Sequence, residues 1–81
     1  MGMNAMQLIK MTNQIGAFFA SQSDPDQARS DFAQHLKRQW DPQMRTALYA
    51  HLDATAGEGL SEFAQGALIG LREQIEPQVH A

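Results

Sequence analysis

Two Asp-Pro dipeptides, Asp24-Pro25 and Asp41-Pro42, constrain the fold of this chain more than any other feature. Each sets a side-chain acceptor before a proline. The carboxylate caps free N–H groups of a starting helix, and proline takes the first helical position, where its missing N–H is not needed. Ser61-Glu62 offers a third start, with an acidic residue in the first turn to complement the helix dipole. Gly57-Glu58-Gly59 reads as a helix stop and loop, and Pro77 ends the last segment. Valine and isoleucine are scarce and no stretch alternates with period two, so strands are not expected. The punctuation predicts an all-α fold, a small irregular bundle of about four short helices at about 4–22, 24–39, 42–55 and 61–75.

At 81 residues the chain is one helical domain, 1–81, with 1–3 and 77–81 expected as mobile ends. Projection at about 100° per residue assigns the faces. The first helix places Leu8, Met11, Ile15, Phe18 and Phe19 on one stripe, with Ile9 on a flank beside Ala5, Gly16 and Ala20. The second carries Ala28, Phe32, Leu36 and Trp40, and Gln39 borders its buried face. The third shows Met44, Ala47, Leu48 and Leu52 with His51 among them. The fourth has Phe63, Ala64, Ala67, Leu68, Leu71 and Ile75, while Ile69 points away.

Only 23 apolar side chains are larger than alanine, a marginal stock for an independent core. There is no cysteine, so disulfides, thiolate metal sites and cysteine nucleophiles are excluded. Three histidines without close pairing do not make a zinc motif. A bound protein partner is the remaining source of extra stability. The net charge of −3 gives no overall basic field for nucleic acid or an anionic membrane, and no apolar run is long enough to span a bilayer. Met6 stands where a myristoylation site needs Ser or Thr, and no basic stretch precedes an apolar one at the N-terminus. The expected location is cytoplasmic.

No motif surrounds Ser21, Ser23 or Ser30, and Ser61 is best used as a cap, so no catalytic residue is assigned. His51 on an apolar face reads as a satisfied core or interface histidine, and His35 stands one turn after Asp31, suited to a local pair. The segment His35–Arg45 gathers Lys37, Arg38 and Arg45, half of the chain's Lys and Arg, around its single tryptophan. Trp40 closing the core and Asp41 capping the next helix explain part of this cluster. A protein interface explains the cations, since Arg and Trp commonly anchor hot spots. The alternative is a small helical nucleic-acid-binding or regulatory module acting through the basic Lys37–Arg45 corner. Gly16 and the Gly66–Gly70 run lower helix propensity, as a close approach by another helix would require.

Four blocks carry a resemblance: Met11-Thr12-Asn13-Gln14-Ile15-Gly16-Ala17-Phe18-Phe19, then His35-Leu36-Lys37-Arg38-Gln39-Trp40-Asp41-Pro42-Gln43-Met44-Arg45, then Ala50-His51-Leu52-Asp53, then Gly59-Leu60-Ser61. In this order, over about residues 8–72, the sequence resembles the delta subunit of bacterial NAD-dependent, molybdenum-containing formate dehydrogenase. It departs from that pattern at Gln39, where an aromatic is usual, at Gln43, where an arginine is usual, and at Glu62, where a proline often follows the serine. The resemblance implies an accessory subunit that binds no cofactor itself. Molybdopterin, iron–sulfur clusters, FMN and NAD would sit in the larger subunits, and this chain would support their assembly or stability. The partner expected is the molybdenum-bearing catalytic subunit, with a homodimer open to the isolated chain. The residues expected to form or support the contact are Ile9, Asn13, Gln14, Gly16, Arg38, Trp40, Arg45 and His51.

Overall fold

The computed structural model describes residues 4–77. Of the mobile ends expected at 1–3 and 77–81, residues 1–3 and 78–81 lie outside the described residues, and Pro77 is half-buried. The fold is all-α, with no strand among the described residues: α1 (Ala5–Ala20), α2 (Pro25–Gln39), α3 (Pro42–Thr55), α4 (Glu62–Gly70) and α5 (Arg72–Ile75).

Every start before α5 is capped as the residue types dictate. Asn4 accepts from the Gln7 N–H at 2.8 Å, and Asp24 accepts from the N–H groups of Asp26 and Gln27. Asp41 accepts from Met44 N–H at 2.9 Å, and Ser61 from Ala64 N–H at 3.2 Å. Helix α3 ends at Ala56, which takes the left-handed conformation (φ 58°) in place of the expected glycine; Gly57 and Gly59 follow at φ 81° and 88°.

The expected helix over 61–75 is two helices. Leu71 leaves helical geometry at φ −116°, ψ 28°, yet its N–H still donates to Ala67 at 2.9 Å, and α5 is re-aimed from there onto α2. The redirection buries Ile75 completely and brings Arg72 to α3.

Helices α1 and α2 form the centre. Helix α1 packs on α2, α3 and α4, while α2 also meets α4 and α5. The core joins Leu8, Phe32, Ala33, Leu36, Trp40, Leu48, Tyr49, Leu52, Ala64, Ala67, Leu68 and Ile75. Trp40 is buried as expected, and Ile69 is exposed as expected. Three assignments need correction. Phe18, placed on the core stripe, is 72 % exposed, because α1 turns Leu8, Thr12 and Gly16 inward between α2 and α4. Ala47 is exposed and Tyr49 is buried in its stead, its hydroxyl donating to the Leu68 carbonyl at 2.8 Å. Gln39 is exposed rather than bordering the core.

Thr12 is buried without penalty because its hydroxyl donates to the Leu8 carbonyl at 2.7 Å.

Candidate partner interface

The residues expected to contact a partner fall into two groups. One group is turned inward and builds the scaffold. Asn13, half-buried on α1, grips the α3–α4 loop with both ends of its amide. Its Nδ2 donates to the Gly59 carbonyl at 2.9 Å and its Oδ1 accepts from Ser61 N–H at 2.8 Å. His51 holds the same loop from α3, its Nε2 donating to the Glu58 carbonyl at 2.7 Å. Gln65 donates from α4 to the Ala56 carbonyl. Three side chains from three helices therefore satisfy three carbonyls, those of Ala56, Glu58 and Gly59, between α3 and α4.

Ile9, placed on a flank and expected at the partner contact, is half-buried against this loop: a Cβ on Gly59 would lie 3.3 Å from Ile9 Cγ2. Gly16 does permit a close approach, but by this chain's own helices. A Cβ there would lie 3.4 Å from Phe63 Cδ2 and 3.7 Å from both Ala64 Cβ and Phe32 Cε1. Gly66 and Gly70 face open space instead.

The basic corner is likewise partly internal. Trp40 is 5 % exposed. Arg45 is half-buried, donating through Nε to the Trp40 carbonyl at 3.2 Å and through a terminal nitrogen to the Ile75 carbonyl at 2.8 Å. It joins the α2–α3 corner to the end of α5. Lys37 and Arg38 alone remain exposed there. The expected His35–Asp31 pair gives way to two other contacts: Asp31 accepts from Gln27 Nε2 at 2.8 Å, and the His35 ring lies 5.6 Å from that of Phe19.

An ion-pair hub escaped the sequence reading. Arg72 binds Asp53 with two parallel bonds, at 2.8 and 2.7 Å, and Glu76 at 2.6 Å, with its guanidinium 4.8 Å from the Tyr49 ring centroid. The Arg72–Glu76 spacing of one turn was readable; Asp53, nineteen positions away, was not. The hydrogen bonds from Arg72 hold the Asp53 carboxyl below its usual range, and the same bonds with Glu76's raise the arginine further. Burial pushes the Tyr49 hydroxyl well above its usual value; Arg72 opposes the shift, and Glu76 and Asp53 add to it.

The second group is exposed. Gln14 and Arg38 face outward, and Gln14 lines a groove of about 300 Å³ between α1 and α2 with Ile15, Phe18, Phe19 and His35. Among the described residues no group of three or more His, Cys, Asp or Glu is placed to hold a metal ion, and no helix is long and apolar enough to cross a membrane.

The family description that matches is the NADH-dependent formate dehydrogenase delta subunit, FdsD, over residues 7–68. The chain belongs to the FdsD family. The matched span of this family member begins one residue before Leu8 and ends at Leu68, so it takes in the Asn13 clamp, the Trp40 corner and the α1–α2 groove. It leaves out α5 and the hub arginine. Neither the curated proteins nor the solved structures compared with it provide a match.

Proposed function

We propose that this chain is a non-catalytic accessory subunit of a cytoplasmic formate dehydrogenase, docking on the molybdenum-bearing catalytic subunit and supporting assembly or stability of the complex. Molybdopterin, iron–sulfur clusters, FMN and NAD belong to the larger subunits in this reading. The observation that carries it is the membership of the FdsD family over residues 7–68. A physical argument supports it. The polar groups most suited to chemistry, Asn13, His51 and Arg45, are spent on the chain's own carbonyls, while Phe18 stands 72 % exposed beside an apolar groove on a protein short of core. An exposed aromatic ring continuous with an apolar groove is suited to burial by a partner.

Within this reading Gln14 and Arg38 touch the partner. Ile9, Asn13, Gly16, Trp40, Arg45 and His51 support the contact from beneath by fixing the loop and the corner. The alternative of a nucleic-acid module loses two of its residues, since Trp40 and Arg45 face inward.

The test is deletion. Cells that make the other subunits without this chain should yield less assembled, active enzyme, with recovery when the chain is supplied from a second gene. Undiminished yield and stability would refute a supporting role.

A further inference from the structure

We infer that the α1–α2 groove ending at Phe18 receives a partner segment that presents an apolar side chain flanked by carboxylates; this rests on the accessory-subunit reading. Four aromatic rings lead from the core to that point. Phe63 meets Phe32 at 5.6 Å and 71°, Phe32 meets Phe19 at 6.4 Å and 69°, and Phe19 meets Phe18 at 5.1 Å and 87°. Each pair is edge-to-face, a favourable geometry for aromatic rings. Phe32, the second ring of the row, is fully buried, and Phe18 is exposed at the outer end. The exposed ring is thus braced by half-buried Phe19, which itself rests on buried Phe32, so a partner loses less freedom in ordering it. The groove beside it, with Ile15 and the Phe19 and His35 rings as walls, has the volume for an apolar side chain.

The charge around the groove selects the occupant. Lys10 lies two turns before Phe18 on the same row of α1, through Gln14, and Arg38 lies one turn after His35 on α2. Both are exposed, and neither forms an ion pair with a described residue. Helix α1 holds no acidic residue, and Asp31, one turn before His35 on α2, sets a single carboxylate against the two cations. In a chain of net charge −3 this rim is locally cationic. A second copy docked groove to groove about a two-fold axis would bring together two rims of the same net positive charge, which is repulsive. An acidic, apolar-tipped segment of another subunit meets both features.

The experiment measures affinity of the full chain for the purified remaining formate dehydrogenase subunits, comparing wild type with Phe18→Ala, Arg38→Glu and, on the exposed face of α4 and outside the groove lining, Ile69→Ala. Phe18→Ala should weaken binding about tenfold or more, and Arg38→Glu should weaken it and flatten its salt dependence. Ile69→Ala should leave it within about twofold. Both groove positions are exposed, so thermal melts should stay close to wild type. If wild type binds and both groove variants bind equally well, the groove assignment fails while the accessory reading stands. If wild type does not bind, the accessory reading itself fails. Sedimentation of the isolated chain as a dimer that Phe18→Ala dissolves would assign the groove to a second copy and overturn the acidic segment.

Discussion

The side-chain oxygen of Asn13 accepts the backbone N–H of Ser61 at 2.8 Å, joining positions 48 residues apart. The same amide donates to Gly59, and Ser61 in turn caps α4. One side chain on the first helix thereby sets where the fourth begins. Replacing Asn13 by Ala leaves a carbonyl and an N–H without their partners and should cost about 1–3 kcal/mol in a chemical denaturation curve. Asn13→Asp should recover only part of this loss, since a carboxylate can accept from Ser61 but cannot donate to Gly59. Full stability of Asn13→Ala would show that the loop is held without the clamp.

Trp40 closes the α2–α3 corner beneath Arg45, which bonds its carbonyl. Trp40→Ala should lose about 3–5 kcal/mol, enough to threaten a domain this small. Circular dichroism is the suitable probe, because the variant has no tryptophan left to report by fluorescence. An unchanged melt would mean that Trp40 does not serve the core.

Tyr49 is the only tyrosine and is 1 % exposed, with its hydroxyl bonded to Leu68. Burial raises its folded-state pKa, whereas the unfolded chain ionises near the ordinary value of about 10. Below that pH both states hold the proton and this group leaves stability unchanged. Above it the unfolded state releases the proton first, so stability falls as pH rises. Tyr49→Phe should remove that alkaline component, at a cost of about 1–2 kcal/mol near neutrality for the lost hydrogen bond. Identical alkaline profiles for the two proteins would contradict the assignment.

Two glycines should respond in opposite directions to alanine. Gly57 sits at φ 81° with Gln65 in the path of any Cβ, so Gly57→Ala should destabilise by about 1 kcal/mol or more. Gly66 is in the interior of α4 with open space around its Cβ direction, and Gly66→Ala should stabilise by about 0.5–1 kcal/mol through helix propensity. Paired thermal melts check both signs at once.

The legible parts of the fold are those governed by neighbours in sequence. Asp24, Asp41 and Ser61 act within three positions of themselves, and the helix starts they announce agree with the structure to a residue or so. The bounds of α3 agree at both ends. Hydrophobic projection does less well, because it shows which side chains are apolar and not which part of the arc neighbours will cover. On α1 the covered line runs through Thr12 and Gly16, one polar and one lacking a side chain, and neither adds to an apolar stripe. The projected stripe therefore centres toward Phe18, which the structure turns outward. The site was harder still. The bonds of Asn13, Arg45 and His51 reach 46, 30 and 7 positions along the chain, and no local rule distinguishes an amide or guanidinium that braces its own fold from one offered to a partner. Gln14 and Arg38 stay exposed because the structure gives them no such partner.

The central claim is association, and co-elution tests it most directly. The tagged chain, produced together with the other formate dehydrogenase subunits, should leave a size-exclusion column with the molybdenum-bearing subunit in a fixed ratio that survives repeated chromatography. Elution of the chain alone, while the remaining subunits assemble normally without it, would contradict the account.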